Sequence, residues 1–177
     1  MANNHGYINT THCSCWDIDA YNCAGIAATD IDNGVLVTLG TINRDTTTLK
    51  VKGYEFNVTP AEATSTSVWV VDSPEVGTTL EMQLLADPRN FYNPAGVPMS
   101  IKYLTPKVDC IEVTAECFTN KTLPTSAKAV VEIGAGGKLT AVASAPASGA
   151  YFSLVGLKTI TFGMEEVPTA VLRIERN

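Results

Sequence analysis

Turn signals punctuate most of this chain at roughly 8–12-residue intervals, a spacing that suits short strands better than helices. The segments between them are rich in β-branched side chains. Val, Ile and Thr make up more than a quarter of the 177 residues. These side chains are stiff at χ1 and fit a pleated surface better than the crowded face of a helix. No ten-residue window places apolar residues at i, i+3, i+4 and i+7, the repeat of an amphipathic helix. The expectation is an all-β, antiparallel, sandwich- or barrel-like fold with minimal helix. Single helical turns are expected near residues 60–63 or 74–79.

The strand candidates follow in order. Residues 35–39 come directly after the turn pair Asn33-Gly34. Residues 54–58 alternate with period two, and residues 66–71 form a short apolar run ending at Asp72-Ser73-Pro74. Residues 99–104 and 110–114 alternate again. Residues 129–133 and 138–142 flank Gly134-Ala135-Gly136-Gly137, a hairpin loop by composition. Residues 151–155, 158–162 and 169–174 complete the set.

Four segments are expected along the chain. Residues 1–30 hold three of the five Cys and both His with little regular pattern, and read as an arm or edge segment. Residues 31–118 form a first β unit. Residues 119–128, polar and broken by Pro124, form a connector, and residues 129–177 form a second, hairpin-rich β unit. A chain of this length buries enough surface to fold without a disulfide or a metal.

Charge narrows the function classes. Only 17% of residues are charged, against an average of about 25%. The net charge is −6, so a phosphate backbone is repelled and nucleic acid is not an expected partner. No apolar run approaches the ~20 residues that span a bilayer, so no membrane partner is expected either. Residues 1–20 show no basic stretch followed by an apolar one, as a secretory signal would.

The candidate chemical sites are weak. His12-Cys13-Ser14-Cys15, with Cys23 and His5, offers soft ligands. Structural zinc sites pair Cys-x(2–4)-Cys with a second such pair, and Cys110 and Cys117 are too far apart to supply it. Reduced, partly buried thiols are the simpler expectation. Asp30-Ile31-Asp32-Asn33-Gly34 resembles the start of a calcium loop, but its glycine comes one residue early and position twelve is Thr41 instead of Glu. A tight turn accounts for it. The acidic pairs Asp17/Asp19 and Glu165/Glu166 have no cationic partner nearby in sequence, and solvated surface explains them. There is no Gly-x-Ser-x-Gly elbow, no triad context for either His, and no Lys-Ser/Thr after the glycine-rich loop. The expectation is a chain without a catalytic site or cofactor.

Three stretches carry a family resemblance. They are Gly6-Tyr7-Ile8-Asn9-Thr10-Thr11-His12, residues 30–40 from Asp30 to Gly40, and Asn90-Phe91-Tyr92-Asn93-Pro94-Ala95-Gly96-Val97-Pro98-Met99. They resemble small structural proteins encoded beside the major capsid gene in tailed phages and prophages. The third matches that family's Asn-Phe-Tyr-Asn-x-x-Gly-x-x-Met signature. The Arg that often follows is Ser100 here, and Pro98 departs from the pattern. The resemblance covers residues 1–118 in islands and does not extend over residues 120–177. It implies a capsid decoration or auxiliary protein, made in the bacterial cytoplasm and placed on the virion exterior. Its partners would be the major capsid protein and other copies of itself.

Aromatic and apolar side chains in low-charge segments suit such contacts. Tyr7, Ile8 and Trp16 of the arm, and Phe91 and Tyr92 of the Pro/Gly-framed loop, are the partner-binding candidates. The Phe91-Tyr92 loop fits an interface or a plug at one end of a barrel equally well. A different class, a β-sandwich carbohydrate- or host-surface-binding module, would use Trp16, Trp69, Tyr151 and Phe152 as stacking platforms.

Overall fold

The computed structural model describes residues 5–76, 80, 87–126 and 129–177. The alternating and apolar runs become strands, and the fold is all-β. The strands are β1 (Ile8–Asn9), β2 (Asn22–Ala27), β3 (Leu36–Arg44), β4 (Val51–Pro60), β5 (Trp69–Val71) and β6 (Met99–Tyr103). They continue as β7 (Cys110–Thr114), β8 (Val130–Ile133), β9 (Leu139–Val142), β10 (Tyr151–Phe162) and β11 (Glu165–Arg176). Strands β2-β4-β3-β5-β6 close a five-stranded barrel. The other six form an open sheet in the order β1-β7-β11-β10-β8-β9.

Every pairing between strands is antiparallel except β2 with β4, which runs parallel. That pair admits only a small residue at Gly25, where a Cβ would sit 3.2 Å from both Ile101 and Val58. Residues 151–155 and 158–162 are one continuous strand, β10, with a bulge between Leu154 and Gly156. Among the described residues, the helical elements are 3-10 turns at Ser14–Trp16, Asp19–Tyr21, Pro88–Asn90, Ala115–Cys117 and Ala135–Gly137, and Leu80 is also helical. Residues 60–63 instead end β4 and begin a loop, because Pro60 still pairs with Val37. Residues 74–76 carry no helical turn, and 77–79 lie outside the described residues.

The spatial division differs from the one expected along the chain. The barrel ends at Tyr103, and β7 already belongs to the open sheet because it pairs with β1 and β11. The arm is shared, β1 going to the sheet and β2 to the barrel. One apolar core spans both: Leu36, Val68 and Val70 pack with Val113, Phe118, Phe152 and Leu172. A smaller cluster of Val37, Val58, Val71, Met99 and Ile101 fills the barrel.

Two glycines let the sheet approach the barrel backbone. A Cβ at Gly137 (φ +72°) would collide with the Leu36 carbonyl, and one at Gly149 (φ +77°) with the Ala63 carbonyl. Both positive φ values are ones that only glycine adopts without strain.

Candidate functional site

The arm is held down on the barrel, and an open cleft forms where it crosses. Ile8 of β1 pairs with Val113 and is only 2% exposed. After β1 the chain turns through Ser14–Trp16, burying Cys13 and Cys15 and leaving Trp16 at the surface. Trp16 is 61% exposed.

Its indole is nevertheless fixed. Nε1 donates to Thr10 Oγ1 at 3.2 Å, and the Lys102 ammonium lies 4.1 Å from the ring centroid. Lys102 projects from β6 and is itself buried. It bonds Asp72 Oδ2 at 2.6 Å and Thr10 Oγ1 at 3.1 Å. Thr10 in turn donates to Asp72 Oδ2. The buried Thr10 hydroxyl thus uses its one donor and both acceptor positions. A paired ammonium and carboxylate with every bond made can be buried here, where an unpaired charge could not.

The cleft has a volume of about 510 Å³. Tyr7, Asn9, Trp16, Asn22, Asp72 and Glu75 are among its walls. Burial pushes the Glu75 carboxyl above its usual range, with nearby Asp72 adding to the effect. Burial likewise raises the Tyr7 phenol, helped by Glu75. The arrangement offers a rigid indole, a phenol and several hydrogen-bonding groups around an open space.

The expected partner-binding residues divide. Trp16 is presented to solvent. Tyr7 is half-buried, with its ring edge-on to Phe162 at 4.9 Å. Ile8 belongs to the core, and Phe91 is also buried, at 6% exposure. Neither offers surface to a partner, because pairing with β7 and packing of the loop turn them inward. Tyr92 is half-buried and stacks on His5 at 5.1 Å. Of the stacking candidates, Phe152 is in the core, Trp69 packs on Tyr103, and Tyr151 lies beneath the Arg176 guanidinium. Only Trp16 of these four is widely exposed.

The stretches that carry the resemblance meet each other. Ile31 and Asn93 exchange backbone hydrogen bonds at 2.8 and 2.9 Å. Asn93 Nδ2 donates to Asn33 Oδ1, and Asn33 Nδ2 donates to the Ser73 carbonyl. Asp30 accepts from the Ala95 amide, and Asp32 takes His5 Nδ1 at 2.7 Å and Lys138 at 3.4 Å. The carboxylates of the calcium-like segment therefore tie loops together. Cys13 donates to the Cys110 carbonyl, and its thiol is raised first by a hydrogen bond with Cys15 and then by burial. Among the described residues, no three potential metal-ligating side chains converge. No described helix is long and apolar enough to cross a membrane.

Thr10, Asp72, Lys102 and Glu75 had no sequence signal as site residues. The contacts among Thr10, Asp72 and Lys102 join residues 30 to 92 positions apart. The alternation that marks β6 as a strand places Lys102 on the face of Ser100, opposite Met99 and Ile101, so the pattern gives no sign that it is buried. No protein-family model, no curated protein and no solved structure matches the chain.

Proposed function

We propose that this chain is a non-enzymatic structural protein that binds the outer surface of a phage capsid shell and stabilises or decorates it. The resemblance in residues 6–99 supports the class of partner. The observation that carries the reading is Trp16, a large exposed aromatic held at its ring face and its N–H by buried groups. An anchor of this kind loses little freedom on docking, and Trp is the residue type most enriched at the energetic centres of interfaces. A ligand that binds the assembled shell and not its dissociated subunits stabilises the shell by mass action.

Two measurements test this. Mass spectrometry of purified particles should find the chain in fixed stoichiometry with the major capsid protein. Addition of the Trp16→Ala protein to undecorated capsids should show binding weakened at least about tenfold, the loss typical of a central aromatic. Undiminished binding would remove Trp16 from the contact. A point substitution is the right probe, since deleting residues 2–20 would remove Ile8, Cys13 and Cys15 from the core.

A saccharide-binding reading is favoured by one feature, the exposed indole beside Asn9, Asn22, Asp72 and Glu75. Titration with maltotriose, cellotriose and chitotriose, read by tryptophan fluorescence, separates the two. Saturable quenching that Trp16→Ala abolishes would favour this reading over the capsid one.

A further inference from the structure

Two β-ribbons extend beyond the sheets that root them. Strand β5 accompanies β3 only at Leu36 and Val37, and β2 accompanies β4 only at Phe56 to Val58. Residues 38–55 therefore run as a two-stranded ribbon. On the other side, β8 pairs with β10 only at Tyr151 to Ser153, and β7 pairs with β11 only at Thr169 to Arg173. Residues 154–168 form the second ribbon. Among the described residues, their outer edges leave backbone N–H and C=O groups without a strand partner, the usual template for pairing with another chain.

Both ribbons expose apolar side chains. Ile42, Leu49, Val51 and Tyr54 are exposed on the first, with Tyr54 at 87%. Val155, Leu157 and Met164 are exposed on the second. Their charges are opposite. The first carries Arg44, Lys50 and Lys52 against Asp45 and Glu55, a net positive segment in a chain of net charge −6. The second, residues 154–168, carries Glu165 and Glu166 against Lys158. Lys158 is turned toward Glu112 at 3.0 Å, Glu165 is held by Arg89, and Glu166 is exposed.

We infer that the two ribbons are complementary halves of one interface between copies of this chain, the basic β3–β4 ribbon of one copy seating on the acidic β10–β11 ribbon of the next. Net sign is opposite, and both ribbons expose apolar side chains. Both ribbons fall short of the ~20–30 residues a side of a standard interface, so the contact belongs to the small, weak class. Because the two patches differ, the contact is heterologous. It closes into a ring if the rotation permits and otherwise continues as an open chain of copies.

Sedimentation velocity of the full chain from about 1 to about 200 µM, at low and high salt, tests this. The expected result is concentration-dependent assembly that salt weakens. Lys52→Glu and Glu166→Lys should each weaken it about fivefold to tenfold, and the double variant should recover most of the loss. Circular dichroism of each variant confirms that these surface substitutions leave the fold intact. A monomer over the whole range overturns the inference, and the ribbons would then be surface for the shell protein. Assembly unchanged in both single variants overturns it equally.

Discussion

The two ribbons differ in ladder and in surroundings: β10–β11 pairs residue for residue from Gly156↔Val171 to Phe162↔Glu165, whereas β3–β4 has register shifts on both sides of Ile42. Near the tip of the β10–β11 ribbon, Phe162 sits edge-on to Tyr7 and under the Arg89 guanidinium at 5.2 Å. Arg89, itself buried, bonds both oxygens of Glu165 at 2.6 and 3.2 Å and both oxygens of Asp87. Further back, Glu112 takes Lys158 and the Thr169 hydroxyl. The β3–β4 ribbon is held at its tip by its own turn, where Asp45 accepts from the Thr47 and Thr48 amides. A two-stranded ribbon alone is marginal in water. The difference teaches that regular pairing and contact with the body of the fold go together: the ribbon with the unbroken ladder is also the one whose far end is tied down.

Substituting Arg89 by Ala should produce the largest effect on this contrast. It removes the bonds from Arg89 to both carboxylates and uncovers one face of Phe162. Breaking a fully buried pair costs about 3–5 kcal/mol, and the exposure of Glu165 places this loss well below that. A thermal or denaturant melt measures it. Amide exchange at residues 158–166 should accelerate while residues 40–55 exchange as before. Equal acceleration in both ribbons would mean that Arg89 supports the whole fold and not this tip.

Acid should give a smaller and more local effect. The Arg89 hydrogen bonds hold the Glu165 carboxyl below its ordinary 4.5. A depressed folded-state value means that the contribution is present above 4.5 and is lost as pH falls through the lower, folded value. Below that point the β10–β11 tip should loosen first around Glu165. Carboxyl chemical shifts across a pH titration report it directly. In the Arg89→Ala protein the Glu165 midpoint should rise toward 4.5, and an unmoved midpoint would show that the ion pair does not form in solution.

The smallest change is expected from Tyr54→Ser on the β3–β4 ribbon. Tyr54 covers nothing in the isolated chain, so the melt should move by less than about 0.5 kcal/mol. A loss above 1 kcal/mol would mean the ribbon folds back onto the body.

The same logic explains which parts of the molecule were legible in its sequence. Strand β7 coincides with residues 110–114, and β6 to within one residue, because both alternate in sequence, although β7 is buried on both faces. The arm read as irregular, yet it contains β1 and β2. Strand β2 is Asn-Cys-Ala-Gly-Ile-Ala, with one β-branched residue, and its strand character comes from β4 and β6 on either side of it. The parallel pairing with β4 is a property of closure that no local pattern encodes. At the cleft, Trp16 stood out as an aromatic in a low-charge segment. Ile8 and Phe91 shared that signal and proved to be interior, since an apolar residue fits a core or a partner equally well. The Thr10–Asp72–Lys102 cluster is assembled across the arm, the end of the barrel and β6, so only the fold brings it together.

Cys117 has a practical consequence. Its thiol is buried between Gly6 and Gly34, where a Cβ on either glycine would strike the sulfur. Burial pushes it up to about 12. An alkylating reagent needs both a thiolate and a path to it, and the folded chain supplies neither. Modification at this position therefore records the moments when the segment around Gly6 lifts away. The yield of labelled Cys117 against time becomes a clock for that opening, built into the chain without any added probe.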